Sequence, residues 1–280
     1  MITIEIMGGL GNQLFQIFAL IHTSIQMKQP FYFERKKTST REDRPFYWNN
    51  FLKRLSIFQK ENDAITRVYR EPCFHFESIP EFPRNETMKL VGYFQSPKYF
   101  GDSKNTIFNM IHLKKQQEEI KQKFHIDFFQ STISLHFRIG DYKHIQQHHP
   151  VMKLEYYINA LEALIRDTQK GDWNVLCFFE KQNKEEVQNH IQNLKAQFSK
   201  LTFTEINHDF EDWVQLIVMS LCQHNIIANS SFSWWGAYMN ENENKNRVYY
   251  PSTWFGPAQG DKNTEDLFLK RWNKINTHKI

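Results

Sequence analysis

Hydrophobic positions along this chain switch repeatedly between two periods. Residues 2–6 form a short apolar run and read as a buried strand. Glycines follow at 8, 9 and 11. Leu14, Ile17, Phe18 and Ile21 then recur at the three- and four-residue spacing of one helix face, so 12–27 reads as a helix. Residues 30–34 read as a second strand, and a β–turn–α–β opening favours a parallel sheet. Residues 35–44 are polar and basic and read as a loop. Residues 45–83 mix aromatic and polar runs and yield no firm element. A strand over 89–93 closes the first half. Residues 103–127 read as helical, with a polar run at 114–123 that is a solvated helix face or a linker rather than a binding patch.

The second half alternates more regularly. Strands are expected at 133–137, 174–179, 201–206, 225–228 and 247–250. Helices are expected at 154–168, 184–198, 210–222 and 233–239. On the first of these helices Leu154, Tyr157, Ile158, Leu161, Leu164 and Ile165 share one side. Strict β–α alternation with short connections is the pattern of a doubly wound α/β domain. Two such halves, divided near Asp127 into 1–127 and 128–280, would leave a cleft between them.

The 280 residues are 40% hydrophobic and 24% charged, an ordinary globular balance. A net charge of +4 is too small for a nucleic-acid binder and mildly suits an anionic substrate. The three cysteines, Cys73, Cys177 and Cys222, are widely spaced, with no metal-type or redox-type pair, and read as reduced thiols. No stretch is apolar for the length of a membrane span, and Met1 runs straight into a strand-like segment without a leader. The expectation is a cytoplasmic protein with no integral membrane segment.

Three segments carry candidate chemistry. Gly8, Gly9, Gly11, Asn12 and Gln13 lie at a strand–helix turn, where the backbone approaches a ligand closely and the helix start faces an anion. A plain βα turn fits this segment as well. A dinucleotide fingerprint fits poorly, because Leu14 stands where a small residue is wanted, although Glu34 ends the next strand where a ribose-binding acid would sit. That leaves an NAD-dependent enzyme as a rival. The second segment, 136–142 (HFRIGDY), ends a strand. Alternation sets His136 and Arg138 on one face, Phe137 and Ile139 on the other. Arg138 could grip a phosphate through two parallel hydrogen bonds, or close a turn with Asp141 as a salt bridge. The third, Asn229, Ser230, Ser231, Phe232 and Ser233, leads from a strand into a helix. It is either a phosphate cradle of hydroxyls and amides or an ordinary N-cap. No Asp-x-Asp pair is present, and Asp209 and Glu211 fall where a helix start wants acids. His144, His148 and His149 lack zinc-type spacing and read as a polar loop.

Together these segments resemble the bacterial and viral-type α-1,2-fucosyltransferases of glycosyltransferase family 11. The resemblance runs nearly end to end, through 8–16 (GGLGNQLFQ), 92–100 (GYFQSPKYF), 136–142, 221–239 (LCQHNIIANSSFSWWGAYM), 251–257 (PSTWFGP) and 263–267 (NTEDL). It implies a two-domain GT-B fold of two Rossmann-like halves, with the acceptor side in the first and the donor in the second. It further implies a GDP-β-L-fucose donor, a glycan acceptor such as a terminal β-galactoside, and an inverting reaction without a metal or other cofactor. By motif position Arg138 would hold the donor β-phosphate, and Asn12 would reach across the cleft towards the donor. Ser230, Ser231, Phe232 and Ser233 would hold the diphosphate end. His136 and Asp141 are candidates for accepting the acceptor proton. The chain departs from the family at Ile139, where a second Arg usually stands, and this opens the alternatives of another nucleotide deoxysugar or a non-catalytic glycan binder.

Overall fold

The computed structural model describes residues 1–35, 44–61, 63–124, 128–240, 242 and 245–277. The boundary expected near Asp127 lies outside these residues. The chain divides into two compact units, one of 1–115 with 262–269 and one of 116–261 with 270–280.

The first unit opens with β1 (Ile2–Ile4) and α1 (Leu10–Met27), then β2 (Phe33–Glu34), β3 (Gln59–Lys60), β4 (Arg67–Arg70) and β5 (Met88–Val91). Its main sheet runs β1-β5-β4, all parallel, with β2 and β3 paired separately. β3 and β4 lie in the stretch whose sequence gave no element. Short strands with mostly exposed or half-buried side chains leave no alternation to read. α1 is buried on almost every side, with Leu14, Ile17, Phe18 and Ile21 fully enclosed and Phe15 and Phe18 against Phe100. It ends at Lys28 in the left-handed region, whose N–H closes the last turn. The helical stretch expected over 103–127 contains two helices, α2 (Lys104–Met110) and α3 (Leu113–Lys121). They are broken at His112, which has positive φ.

The returning segment 262–269 explains one sequence block. Asp266 accepts a hydrogen bond from the Phe76 amide at 3.1 Å and pairs with Lys98, and its carbonyl accepts from Ser96 Oγ at 2.8 Å. Residues 92–100 are built for packing too. Glu71 Oε2 accepts from the amides of Tyr93 and Phe94, and a Cβ on Gly92 would stand 2.4 Å from Glu71 Cβ.

The second unit contains β6 (Thr132–His136), α4 (Leu154–Thr168), β7 (Asn174–Phe178), α5 (Lys184–Gln197), β8 (Thr202–Glu205), α6 (Asp212–Leu221), β9 (His224–Ile226), α7 (Ser231–Tyr238), β10 (Val248–Pro251) and β11 (Asn273–Ile275). The strands are parallel in the order β8-β7-β6-β9-β10-β11. The chain starts in the middle, winds outward through β7 and β8, and returns to the other side for β9. The connection therefore reverses between β6 and β9. β11 lies beyond the strand expected to be last, and its sequence, Asn-Lys-Ile, carries no apolar run.

β6 is buried along its whole length. Ile133, Leu135, Phe137 and Ile139 enter the apolar core with Tyr157, Leu161 and Leu164 of α4. On the opposite face polar groups are matched. Asn225 donates to Ser134 Oγ at 2.6 Å and to the Met219 carbonyl at 2.9 Å, and accepts from Asn240 and Asn246. Among the described residues no helix is long and apolar enough to cross a membrane.

Candidate active site

In a doubly wound sheet the loops at the carboxyl ends of the strands diverge where the winding reverses, and ligands sit there. In the second unit that point lies between β6 and β9. The two sequence segments singled out, 136–142 and 229–233, leave those two strands at their carboxyl ends.

Arg138 follows β6 and is four-fifths covered. Its two terminal nitrogens donate separately, one to Glu180 Oε1 at 2.6 Å and one to Asp141 Oδ1 at 2.5 Å. The guanidinium also lies over the Tyr142 ring, 4.9 Å from its centroid. Burial opposes its charge, but Glu180, Tyr142 and Asp141 outweigh this and hold it firmly protonated. The turn salt bridge expected between Arg138 and Asp141 is thus present. Glu180 escaped the sequence reading because it lies 42 residues away. Register brings it in: His136 pairs with Phe178, so two residues further on Arg138 stands beside Glu180. A glycine makes room for it. Gly140 has φ +28°, and a Cβ there would lie 1.9 Å from Glu180 Oε2.

His136 is buried, its ring 5.7 Å from that of Phe232. Burial, aided by Arg138, pulls its pKa down to about 3, so the imidazole is neutral near pH 7. Its Nδ1 is buried without a hydrogen-bond partner among the described residues. Ile139 is 3% exposed in the core, on the side of the strand away from Arg138. Where the family usually carries a second Arg, this chain therefore has a packing residue.

The 229–233 segment divides by role. Asn229 is buried and pinned, donating to the carbonyls of Pro150 at 2.9 Å and Trp254 at 3.2 Å. Its carbonyl accepts from Tyr142 Oη at 3.1 Å, which ties the loop after β6 directly to the loop after β9. Burial pushes the Tyr142 hydroxyl up to about 12, so it stays a donor. Ser230 is the N-cap of α7 in extended conformation, and its side chain makes no capping bond. Ser233 Oγ is fully buried and turned back towards the Ala228 and Ser230 carbonyls, so its hydroxyl is taken up within the turn. Ser231 and Phe232 are half-buried in the first turn. The first amides of a helix have no intrahelical acceptor and carry the positive end of its dipole, so this turn favours an anion. The 251–257 block buttresses the same loops: Gly256 donates to the His148 carbonyl, and a Cβ on it would meet the Gln147 carbonyl at 2.4 Å. His149 stacks on Tyr142 at 4.9 Å, so this histidine packs a loop.

In the first unit the expected turn is tighter than the sequence suggested. α1 begins at Leu10 with Gly9 as N-cap, so Gly11, Asn12 and Gln13 lie in its first turn. Gly8 has φ +71°. Asn12 Oδ1 accepts from Gln95 at 2.8 Å. Gln13 is fully buried and donates to the carbonyls of Gly8 and Pro45, which makes it a brace for the turn. Glu34, the acid behind the dinucleotide rival, is 7% exposed and paired with Lys89 at 2.9 Å. Its carboxylate is largely covered and serves as the counter-ion of Lys89.

A family model, Glycosyl transferase family 11, matches residues 1–276. The chain belongs to glycosyl transferase family 11. This family 11 enzyme is similar to the O-antigen biosynthesis glycosyltransferase WbnK of Escherichia coli, 28% identical over 94% of this chain and 97% of that one. It is also similar to an α-1,2-colitosyltransferase of Escherichia coli, 26% identical over 96% of each. Among solved structures, the Escherichia coli ADP-heptose lipopolysaccharide heptosyltransferase II aligns over 98% of this chain and 89% of that chain, with TM-score 0.50 and 10% identity. The fold is GT-B-like, and the protein is a glycosyltransferase.

Proposed function

We propose that this enzyme transfers L-fucose from GDP-β-L-fucose, with inversion and without a metal, to O2 of a terminal β-galactoside. The observation that carries the reading is the position of Arg138 and of the start of α7 on the loops after β6 and β9, the two strands between which the winding reverses, with those loops joined by the Tyr142–Asn229 bond. As the sugar–oxygen bond breaks, negative charge grows on the departing diphosphate. Arg138 meets it by exchanging a carboxylate partner for phosphate oxygens, and the amides of Ser231, Phe232 and Ser233 supply aligned dipoles. Donors of this kind, set in advance, contribute about 3–4 kcal/mol each. In a single displacement the acceptor hydroxyl attacks from the face opposite GDP and gives up its proton. Asp141 takes it in this reading, since its side chain is half exposed, whereas His136 is sealed from solvent.

A second reading has its own support. The name of the colitosyltransferase relative indicates a different deoxysugar, and Ile139 marks a departure near the donor loop. Incubation with GDP-fucose or GDP-colitose and lactose, followed by linkage analysis of the product, separates the two. A fucosyl-α-1,2-galactoside as the main product supports the first reading. Turnover of GDP-colitose alone favours the second, and product from neither defeats both.

A further inference from the structure

Cys73, His75 and Glu77 occupy alternate positions in an irregular stretch of the first unit, and their side chains converge. Cys73 Sγ lies 3.4 Å from His75 Nε2, and Glu77 Oε1 lies 3.3 Å from the same nitrogen. The three donor atoms all fall within 4.8 Å of one another. A proton relay through an imidazole uses its two different nitrogens, one for each neighbour. Here thiol and carboxylate both approach Nε2, so the three ligand atoms cluster within reach of one ion instead of forming a relay.

The spacing suits a tetrahedral ion. Bonds of about 2.3 Å to sulfur and about 2.0 Å to nitrogen and oxygen set tetrahedral edges of roughly 3.3–3.5 Å between donor atoms. The two contacts to Nε2 already have those lengths, and with sulfur and carboxylate within 4.8 Å of each other a small shift of the exposed Glu77 closes the third edge. The ligands are also held from behind. The Phe76 amide donates to Asp266 Oδ2 at 3.1 Å and the Glu77 amide to Tyr99 Oη at 3.1 Å, while the Phe76 ring packs 4.9 Å from Tyr99. His75 and Glu77 are 40% and 51% exposed, which leaves a side open to solvent for a fourth ligand. A sequence search for paired cysteines passes over this group, because its sulfur, nitrogen and oxygen come from a Cys-x-His-x-Glu run.

We propose that Cys73, His75 and Glu77 bind a divalent transition metal of the zinc class, with water as the fourth ligand. Sulfur, imidazole and carboxylate in one shell select such an ion over magnesium or calcium, which take oxygen alone. On binding, the Cys73 thiol releases its proton to solvent and the thiolate forms the bond. The ion would clamp the irregular stretch against Tyr99 and Asp266, and it is given no step in glycosyl transfer.

Titration of the whole, chelator-stripped protein with cobalt(II) tests the site. One equivalent should bind, with a thiolate-to-cobalt band in the near ultraviolet and visible ligand-field bands of tetrahedral intensity. Cys73→Ser should remove the thiolate band. Glu77→Gln, at an exposed position that leaves packing intact, should weaken binding while circular dichroism stays unchanged. The proposal is overturned by the absence of saturable binding, by binding without a thiolate band, or by a thiolate band that persists in Cys73→Ser. It is equally overturned by unaltered affinity in Glu77→Gln. The other thiols, Cys177 and Cys222, are fully buried and offer no competing ligand in the folded chain.

Discussion

Arg138 shows how much a single side chain depends on neighbours that the sequence hides. Its link to Asp141 spans three residues and could be read from the chain, whereas Glu180 becomes visible only once β6 and β7 are in register. Gly140 is the residue that permits this arrangement. Gly140→Ala should cost at least ten-fold in turnover, because the new methyl would displace Glu180 and the backbone there disfavours side chains. Adding Glu180→Ala should recover part of the thermal stability lost in Gly140→Ala, and equal, additive losses in the double variant would contradict the contact. His136 and His224 carry a different consequence. Burial holds them at about 3 and about 4, against an ordinary value of 6.5. Between these values the unfolded chain binds the extra protons, so their stabilising effect is complete above about pH 6.5 and is lost as pH falls through the folded values. Each group contributes a slope of up to about 1.4 kcal/mol per pH unit in that window. Denaturant midpoints measured from pH 7 to 4 should fall steadily, and His224→Gln should flatten the curve. A flat wild-type profile would show that the two rings are solvated.

At the scale of elements, the second half was legible because its strands are buried on both faces and its helices present one apolar side. The expected helix at 154–168 coincides with α4. The elements that escaped are those whose position rests on partners. β3, β4 and β11 have no alternation of their own, and α2 and α3 are separated by a backbone reversal at His112 that a run of helix-forming residues conceals. The sequence pattern starts α7 at 233, two residues late, since a helix opening with Ser-Phe-Ser carries cap-type residues inside its first turn. α7 in turn depends on α6. A Cβ on Gly236 would lie 2.4 Å from Met219 Sδ, so the two helices touch where a side chain is missing. Gly236→Ala should destabilise by about 1–3 kcal/mol through overpacking and weaken GDP binding by shifting the helix start. Met219→Ala in the same chain should restore part of both, as read by thermal denaturation and GDP titration. Unchanged stability in Gly236→Ala would mean that the interface yields freely.

For the whole molecule, the sequence blocks that suggested the family prove to do unlike jobs. Residues 136–142 and 229–233 form the candidate site, while 251–257 props its loops and 263–267 returns to the first unit. That last placement could not be read from order along the chain, because the partners of Asp266 are more than a hundred residues earlier. In the proposed reaction the choice of donor rests on the second unit. With a net charge of only +4, affinity for the proposed diphosphate donor would come from placed groups, with little from a general field. The most direct test is release of GDP from GDP-fucose, with and without lactose, by the wild-type enzyme and by Arg138→Lys. Release should depend on lactose, and kcat should be roughly 10²–10³-fold lower in the variant at unchanged fold. No lactose-dependent release, or near-normal turnover by Arg138→Lys, would contradict the proposed reaction.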